Sequence, residues 1–220
     1  MIFCNKKSEG PDDACRWRRR KDARPEEIID AALALFTEKG FSATRLDDVA
    51  KRAGISKGTR YLYFDSKEKI FQAVVETLLG PQLQYIEKLV DEFSGSNQEL
   101  LRHLVHGWWR NIGETSLSAI PKLIVSESGN FPELAKFFVK QVIKRARKVF
   151  ARVLERGMNS GEFRRCDADS AARLLIAPLV QTAIWKHSLQ PWDKMGDVAT
   201  YLDLHLDIFF NGMAKGAKNK

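Results

Sequence analysis

The chain has 220 residues, 44% of them hydrophobic, and its 36 basic and 28 acidic side chains give a formal net charge of +8 at pH 7. The hydrophobic fraction is enough for a sizeable core, and the length suits a small module followed by a larger domain. The positive charge favours a polyanionic partner such as nucleic acid, although many basic proteins have no such partner.

The cysteines and the apolar runs exclude several classes of protein. Cys4, Cys15 and Cys166 are too scattered for a disulfide framework or a zinc knuckle, and they fit a reducing cytoplasm. The first residues contain no apolar run before their charges, so we expect no secretory signal. No apolar stretch approaches the ~18 residues of a membrane span. We therefore expect a cytoplasmic protein with no membrane association.

Enzymatic signatures are absent from the sequence. It contains no P-loop, no dinucleotide fingerprint and no G-x-S-x-G nucleophile elbow. His103 and His106 are spaced for one face of a helix, but no third ligand lies at metal-binding spacing. We expect no enzymatic activity, no cofactor and no metal.

The charge and turn patterns divide the chain into four parts. Residues 1–23 form a basic arm, which is either a solvated flexible segment or a clamp on DNA phosphates or the minor groove. We place a first domain at 24–75, a larger helical domain at 76–214 and a flexible tail at 215–220. In the larger domain, helical runs cover about 82–93, 97–113, 116–127, 131–157, 168–188 and 194–213. Because no alternating β pattern is present, the fold class is predicted to be all-α.

The first domain predicts short helices joined by a sharp turn. A helix at about 26–39 opens with proline and acids and stops at Gly40. The stretch TRLDDVAKRAG predicts a second helix, for which Thr44 and Asp47 approximate a capping box. After Gly54 the stretch SKGTRYLYF begins a further helix almost at once. This spacing is typical of a helix-turn-helix, whose second helix enters the major groove of DNA.

The helix predicted at 57–63 carries side chains suited to DNA. Gly58 permits close approach, Thr59 can hydrogen-bond a base edge, and Tyr63 lies on the same face four residues on. Lysines flank the helix and can meet phosphates, and the N-terminus of the next helix offers backbone N–H groups to an anion. We expect Phe64 to pack into the core of the module.

Residues 25–74 resemble the DNA-binding domain of the tetracycline-repressor (TetR/AcrR) family of transcriptional regulators. The resemblance rests on IIDAALALFTEKGFSAT, on DDVAKRAGISKGTRYLYFDSKEKIF and on their spacing. It implies a homodimer that binds double-stranded operator DNA, usually as a repressor, and a helical C-terminal domain that binds a small effector. The positions expected to meet DNA are Thr44, Arg45, Lys57, Gly58, Thr59, Arg60, Tyr61, Tyr63 and Lys67.

Two residues depart from the family pattern. Asp47 stands where many relatives carry an arginine that reaches DNA, and Arg45 can take over that contact. Arg60 stands where relatives usually have an apolar residue. Because burying an unpaired arginine is costly, we expect its stem to pack on the module and its guanidinium to reach the surface.

The last two predicted helices are apolar on more than one face, so each must bury more than one side. A four-helix bundle formed with a second copy of the chain, as the resemblance implies, would do this. Packing inside a monomer is the alternative. The residues expected at the dimer interface are Leu175, Leu179, Ala183, Leu202, Leu206, Phe209 and Phe210.

An effector pocket in the C-terminal domain is expected to be mostly apolar, with aromatic walls. Candidate lining residues are Trp108, Trp109, Ile112, Ile120, Ile124, Phe137, Phe138, Val142 and Trp185, although each could instead be ordinary core. A basic helix face is expected to be solvated surface rather than a second DNA site; it consists of Lys136, Lys140, Lys144, Arg147 and Lys148.

Together these features predict a ligand-responsive DNA-binding regulator, released from its operator by a small, mostly apolar effector. The alternative is an all-α ligand-binding or interaction protein that has lost specific DNA recognition. The departures at Asp47 and Arg60 favour this alternative.

Overall fold

The computed structural model describes residues 24–56 and 63–214, and within these ranges the chain is helical. The α-helices are α1 (Arg24–Lys39), α2 (Leu46–Arg52), α3 (Lys67–Val74), α4 (Gly80–Glu92), α5 (Asn97–Trp108), α6 (Ile120–Glu127), α7 (Pro132–Phe138), α8 (Lys144–Ser160), α9 (Ala168–Lys186) and α10 (Val198–Met213). In the described ranges the only β feature is an isolated bridge between Phe163 and Ala214. The predicted all-α class is confirmed.

Three long helical segments each contain one π-helical turn, which interrupts two of them and ends the third. The turns are Val75–Leu79 between α3 and α4, Trp109–Gly113 after α5, and Val139–Ile143 between α7 and α8. A 3₁₀ turn, Ser116–Ala119, leads into α6. The predicted runs at 97–113, 116–127 and 131–157 agree closely with these segments. A π-turn inserts one extra residue into a helix, so it re-aims the side chains on either side of it.

The start of α2 differs from its sequence prediction. Its N-cap is Arg45, whose backbone is extended and whose side chain makes no capping bond. The Thr44 hydroxyl donates instead to the carbonyls of Gly40 at 2.7 Å and Leu35 at 3.3 Å. The predicted capping box is therefore wrong, because the hydroxyl lies one residue too early and satisfies the end of α1. Ser66 caps α3 by accepting the Lys69 N–H at 3.2 Å, although the sequence is equally compatible with Asp65 as the cap.

The N-terminal helices have a core that they share with the C-terminal part. Phe36, Phe41 and Phe71 are at most 1% exposed, and their ring centroids lie 5.0–6.3 Å apart. The same core includes side chains of α6 and α7, among them Ile120 and Phe138. Packing therefore crosses the predicted domain boundary near residue 75, and that boundary stays a prediction.

A second core lies among α4, α5, α8, α9 and α10, and it includes residues predicted for the dimer interface. Leu175, Leu179, Ala183, Leu202, Leu206 and Phe210 are at most 6% exposed within the single chain, and Phe209 is half-buried against them. Other residues of the same two helices are exposed: Leu174 at 68%, Leu204 at 57%, Ile208 at 63% and Tyr201 at 38%. Both helices are apolar around most of their circumference, so their pattern does not separate the core of the chain from an interface, and the position of the interface stays a prediction.

Among the described residues, no helix is long and apolar enough to cross a lipid bilayer.

Candidate functional site

The stretch predicted to form the helix-turn-helix is described up to Ser56 and again from Tyr63. Gly54 has a φ of +67°, and the Ile55 N–H bonds to the Ala50 carbonyl at 3.0 Å, so the chain turns sharply after α2. Five predicted DNA contacts lie outside the described residues, namely Lys57, Gly58, Thr59, Arg60 and Tyr61. Their role stays a prediction, although the turn that leads into them is built as expected.

The predicted contacts that are described occupy different environments. Tyr63 is 37% exposed, and its neighbour Phe64 is half-buried against the first core. Arg45 is exposed at the start of α2. Thr44 is 2% exposed with its hydroxyl bonded inward, so it holds the turn between α1 and α2 and does not present its side chain to DNA. The structure thus corrects the DNA contact expected of Thr44.

Lys67 is held by the backbone of the turn after α1. Its ammonium donates to the carbonyls of Phe41 at 2.9 Å and Ser42 at 3.0 Å. It also lies over the rings of Phe41 and Phe131, at 4.7 and 5.1 Å from their centroids. Two of its three N–H donors are therefore occupied, so the predicted phosphate contact would use the third. The sequence did not indicate this structural role.

Ion pairs join α1 to α2 on the surface. Arg52 donates to Glu38 at 2.7 Å, and Lys39 contacts Asp48 at 3.3 Å. The hydrogen bond from Arg52 lowers the pKa of the Glu38 carboxyl below its usual value, despite a small opposing effect of burial. Because these groups are exposed, the pairs orient the helices more than they stabilise them.

A joint connects this module to the C-terminal part of the chain. The Glu127 carboxylate, at the end of α6, accepts the backbone N–H of Ser42 at 3.0 Å, and Glu127 is only 8% exposed. Close by, the rings of Phe41 and Phe131 meet edge to face at 4.8 Å. The turn that precedes α2 is therefore fixed by residues from α6 and from the loop between α6 and α7.

A cavity of about 700 Å³ lies between α6, the π-turn after α7, α8 and α9. Its walls are almost entirely apolar and include seven of the nine residues predicted from the sequence: Trp108, Ile112, Ile120, Ile124, Phe138, Val142 and Trp185. A cavity of this size and character is typical of a small-molecule site. We call it the first chamber.

Two of the predicted lining residues lie elsewhere. Trp109 belongs to the second core, and Phe137 packs against the first core. The sequence analysis missed a stripe of α9 formed by Ile176, Val180 and Ile184, which lines the chamber. These residues recur every four positions, which places them on one face of the helix. This spacing could have indicated a wall of the chamber, but the sequence analysis assigned the apolar residues of this helix to the dimer interface.

The charged side chains that line the first chamber are already paired with an opposite charge. Arg147 and Arg173 line it, but both contact the Asp169 carboxylate, at 2.6 and 3.1 Å.

At the far end of α9, Ser118 and His187 are joined by a 2.8 Å contact between Oγ and Nε2. Burial, with nearby Lys186 and Lys122, lowers the pKa of His187. A neutral imidazole with a proton on Nε2 fits this geometry, because Ser118 donates its own proton to a backbone carbonyl.

The N-terminal module shares a core with a helical domain that holds an apolar chamber, an arrangement typical of an α-helical DNA-binding regulator. Residues 28–74 match the profile of bacterial regulatory proteins of the tetR family, and residues 99–200 match the C-terminal domain of AefR-like transcriptional repressors. The chain belongs to the tetR family and is a DNA-binding transcriptional regulator. This confirms the family and the regulatory function expected from the sequence.

Relatives support this assignment over most of the chain. The uncharacterized regulator YfiR of Bacillus subtilis is 31% identical over 148 residues, which is 66% of this chain and 71% of YfiR. The fatty acid metabolism regulator protein of Bacillus subtilis is 25% identical over 188 residues, covering 84% of this chain and 95% of that protein.

Solved structures agree with the fold. The Bacillus subtilis regulator FadR, solved in complex with stearoyl-CoA, superimposes with a TM-score of 0.72 at 24% identity, over 86% of this chain and 98% of FadR. The multidrug-efflux repressor SmeT of Stenotrophomonas maltophilia gives a TM-score of 0.68 at 24% identity, over 90% and 94% of the two chains. At these identities the likeness shows the fold.

Replacing Lys67 by methionine should reduce the stability of the whole protein. The change keeps the apolar stem but leaves two carbonyls of the turn without a charged donor, so we expect a loss of about 1–2 kcal/mol in the free energy of unfolding. Urea denaturation of both proteins measures this. The matched control is Lys69→Met, an exposed lysine of the same helical turn, which should change stability by less than about 0.5 kcal/mol. Equal effects of the two changes would contradict the role given to Lys67.

Proposed function

We propose that this regulator binds operator DNA as a homodimer, acts as a repressor, and is released by a mostly apolar small molecule that occupies the first chamber. The observation that carries the proposal is the path from chamber to DNA module. Ile120 and Ile124 of α6 line the chamber, and Glu127 ends the same helix on the backbone of the turn before α2. A ligand and DNA can therefore both act on one element.

The chemistry of the chamber supports an effector with a large apolar part. Filling about 700 Å³ of apolar space removes the ligand from water, and each buried methylene contributes about 0.8 kcal/mol. The relatives point the same way, since one is a fatty acid metabolism regulator and the structural neighbour FadR was solved with stearoyl-CoA. An effector with a hydrocarbon chain fits this chamber.

Release from DNA follows if the ligand favours one of two positions of α6. A ligand shifts such an equilibrium only by its difference in affinity for the two states. Movement of α6 displaces Glu127, which in turn displaces Ser42 and the start of α2. The two DNA modules of a dimer would then no longer match half-sites about 34–36 Å apart.

The exposed apolar face of α9 and α10 supports the dimer. Leu174, Tyr201, Leu204 and Ile208 form an exposed apolar surface on these two helices. Contiguous apolar surfaces of this kind are characteristic of protein interfaces. A two-fold dimer through this face suits a DNA site with two-fold symmetry.

Titration with DNA tests the regulatory function. The protein should bind the promoter fragment upstream of its own gene more tightly than random DNA, with an affinity that falls as salt rises. Thr59→Ala or Tyr63→Phe should reduce the preference for the promoter by about 1–3 kcal/mol. Lys57→Ala should weaken binding to both DNAs alike and lower the salt slope by about 0.9. Equal, weak binding of the unmodified protein to both fragments would favour the alternative of an all-α protein that no longer reads DNA.

Removing the Glu127 carboxylate should uncouple the two sites. Glu127→Ala should leave ligand binding in the first chamber intact but reduce the effect of ligand on operator affinity by about fivefold or more, since couplings of this kind are typically 1–3 kcal/mol. Fluorescence anisotropy of labelled operator, with and without a long-chain saturated carboxylate, measures the coupling. Glu127→Gln keeps an acceptor oxygen and should restore most of it. If Glu127→Ala responds to ligand like the unmodified protein, α6 does not carry the signal through this contact.

Charges on the exposed face of α10 should separate the subunits. Leu204→Glu combined with Ile208→Glu places like charges across a two-fold interface, so light scattering should show a monomer that retains its helical content. Gln84→Glu, an exposed change on α4, is the control and should stay dimeric. A double variant that remains dimeric would place the interface elsewhere.

A further inference from the structure

A second, smaller cavity adjoins the first chamber. It encloses about 350 Å³ between α4, α5 and α8, and we call it the second chamber. Its inner wall is apolar, with Leu83, Ile86 and Phe150 among its residues. Exposed side chains that include His103, Arg110 and Asn111 line its opening to solvent.

The two chambers share one thin apolar partition. Five residues line both of them: Leu79, Trp108, Ile112, Val142 and Ala146. Four of the five have purely hydrocarbon side chains, and the fifth, Trp108, carries one polar group, its indole N–H. A hydrocarbon chain can therefore lie across the partition against an almost entirely apolar surface.

The partition is built on the deformable parts of the helices. Leu79, Ile112 and Val142 each lie in one of the three π-turns, and Trp108 directly precedes one. Return of a π-turn to α-helical geometry shifts the register by one residue and swings its side chains around the axis. All three described π-turns therefore converge on the wall between the chambers, which makes that wall the part of the domain best suited to open.

The openings of the two chambers differ in available charge. At the first chamber, Arg147 and Arg173 share the Asp169 carboxylate. At the second, Arg110 is exposed and makes no ion pair among residues 24–56 and 63–214. Glu87, an acidic side chain of α4, is held by Arg145 at 3.0 Å. An anionic group therefore finds an uncompensated cation at the second opening.

We propose that the two chambers form one site for a single-headed anionic amphiphile. Its anionic head lies at the second opening on Arg110, with His103 beside it, and its hydrocarbon chain runs through the second chamber and past Trp108 into the first. This inference rests on the proposed effector function and extends it by fixing the class and direction of the ligand. The same ligand would contact Leu79, in the π-turn that follows α3.

Calorimetric titration of the full chain with saturated carboxylates of about 8 to 16 carbons tests the proposal. Affinity should rise about fourfold for each added methylene, because each buried CH₂ contributes about 0.8 kcal/mol. Arg110→Ala should weaken carboxylate binding about five- to tenfold and leave the matching 1-alkanols unaffected. The matched control is Arg165→Ala, an exposed arginine that lines neither chamber, and it should change neither affinity. Arg173→Ala, at the first opening, tests the opposite direction of the ligand. Alkyl phosphates should follow the carboxylates if any anionic head suffices.

Blocking each chamber separately tests the direction of the chain. Ile86→Trp fills the second chamber and should abolish binding of short and long carboxylates alike. Val180→Trp fills the first chamber and should spare the short carboxylates while the long ones bind less tightly. Circular dichroism checks that both variants fold. If either variant does not fold, Arg110→Ala and Arg173→Ala still show at which opening the anionic head binds, because both residues are exposed.

Two outcomes would overturn the inference, and they are distinguishable from failure of the proposed function. If long carboxylates bind but respond to Val180→Trp and Arg173→Ala rather than to Ile86→Trp and Arg110→Ala, the first chamber alone is the effector site. If no carboxylate, alkyl phosphate or alkanol binds, the proposed class of ligand, an amphiphile, is wrong. The operator titration still judges the regulatory function, since it requires no ligand.

Discussion

The arrangement of the whole molecule depends on the hydrogen bonds made by the backbone of one short turn. In the turn between α1 and α2, Phe41 and Thr44 are buried against the core, while Ser42 and Ala43 are exposed. The Ser42 N–H is bonded to the Glu127 carboxylate, and the carbonyls of Phe41 and Ser42 are bonded to the Lys67 ammonium. The partners of these backbone groups come from 25 to 85 residues further along the chain.

This arrangement makes the DNA module incomplete on its own. Its phenylalanine core continues into α6 and α7, and the turn that sets the start of α2 takes its hydrogen bonds from α3 and α6. A change in α6 therefore cannot be absorbed locally, since close-packed interiors transmit displacement rather than deform gradually. The proposed coupling of the chamber to the DNA module therefore needs no separate relay, because α6 contributes to both the chamber wall and the core of the module.

The sequence predicted what periodicity and short-range chemistry determine. The helix bounds, the sharp turn at Gly54 and the aromatic walls of the chamber follow from local patterns. Prediction from the sequence failed where two local arrangements of the same residues are nearly equal in energy. A threonine before a helix can cap it or can bond back to the preceding helix, and Thr44 does the second. An all-round apolar helix such as α9 has no pattern that separates core from interface. The second function of Lys67 depends on a contact 26 residues distant, which spacing cannot reveal.

The segment from Lys67 to Glu92 links the two ends of the mechanism physically. Ile70, Phe71 and Val74 anchor its first half in the core of the DNA module. Its π-turn then places Leu79 in the partition between the chambers, and α4 continues beyond it. A straight α-helix would carry any rotation from one end to the other unchanged. The π-turn instead lets the two halves hold different orientations, so a ligand at Leu79 can alter the angle between them at small cost, because α3 and α4 each keep their own hydrogen bonds. The same segment thus lines the chambers at Leu79 and, through the Lys67 ammonium at its start, holds the turn that precedes α2, so a proposed signal from the ligand has a continuous covalent path.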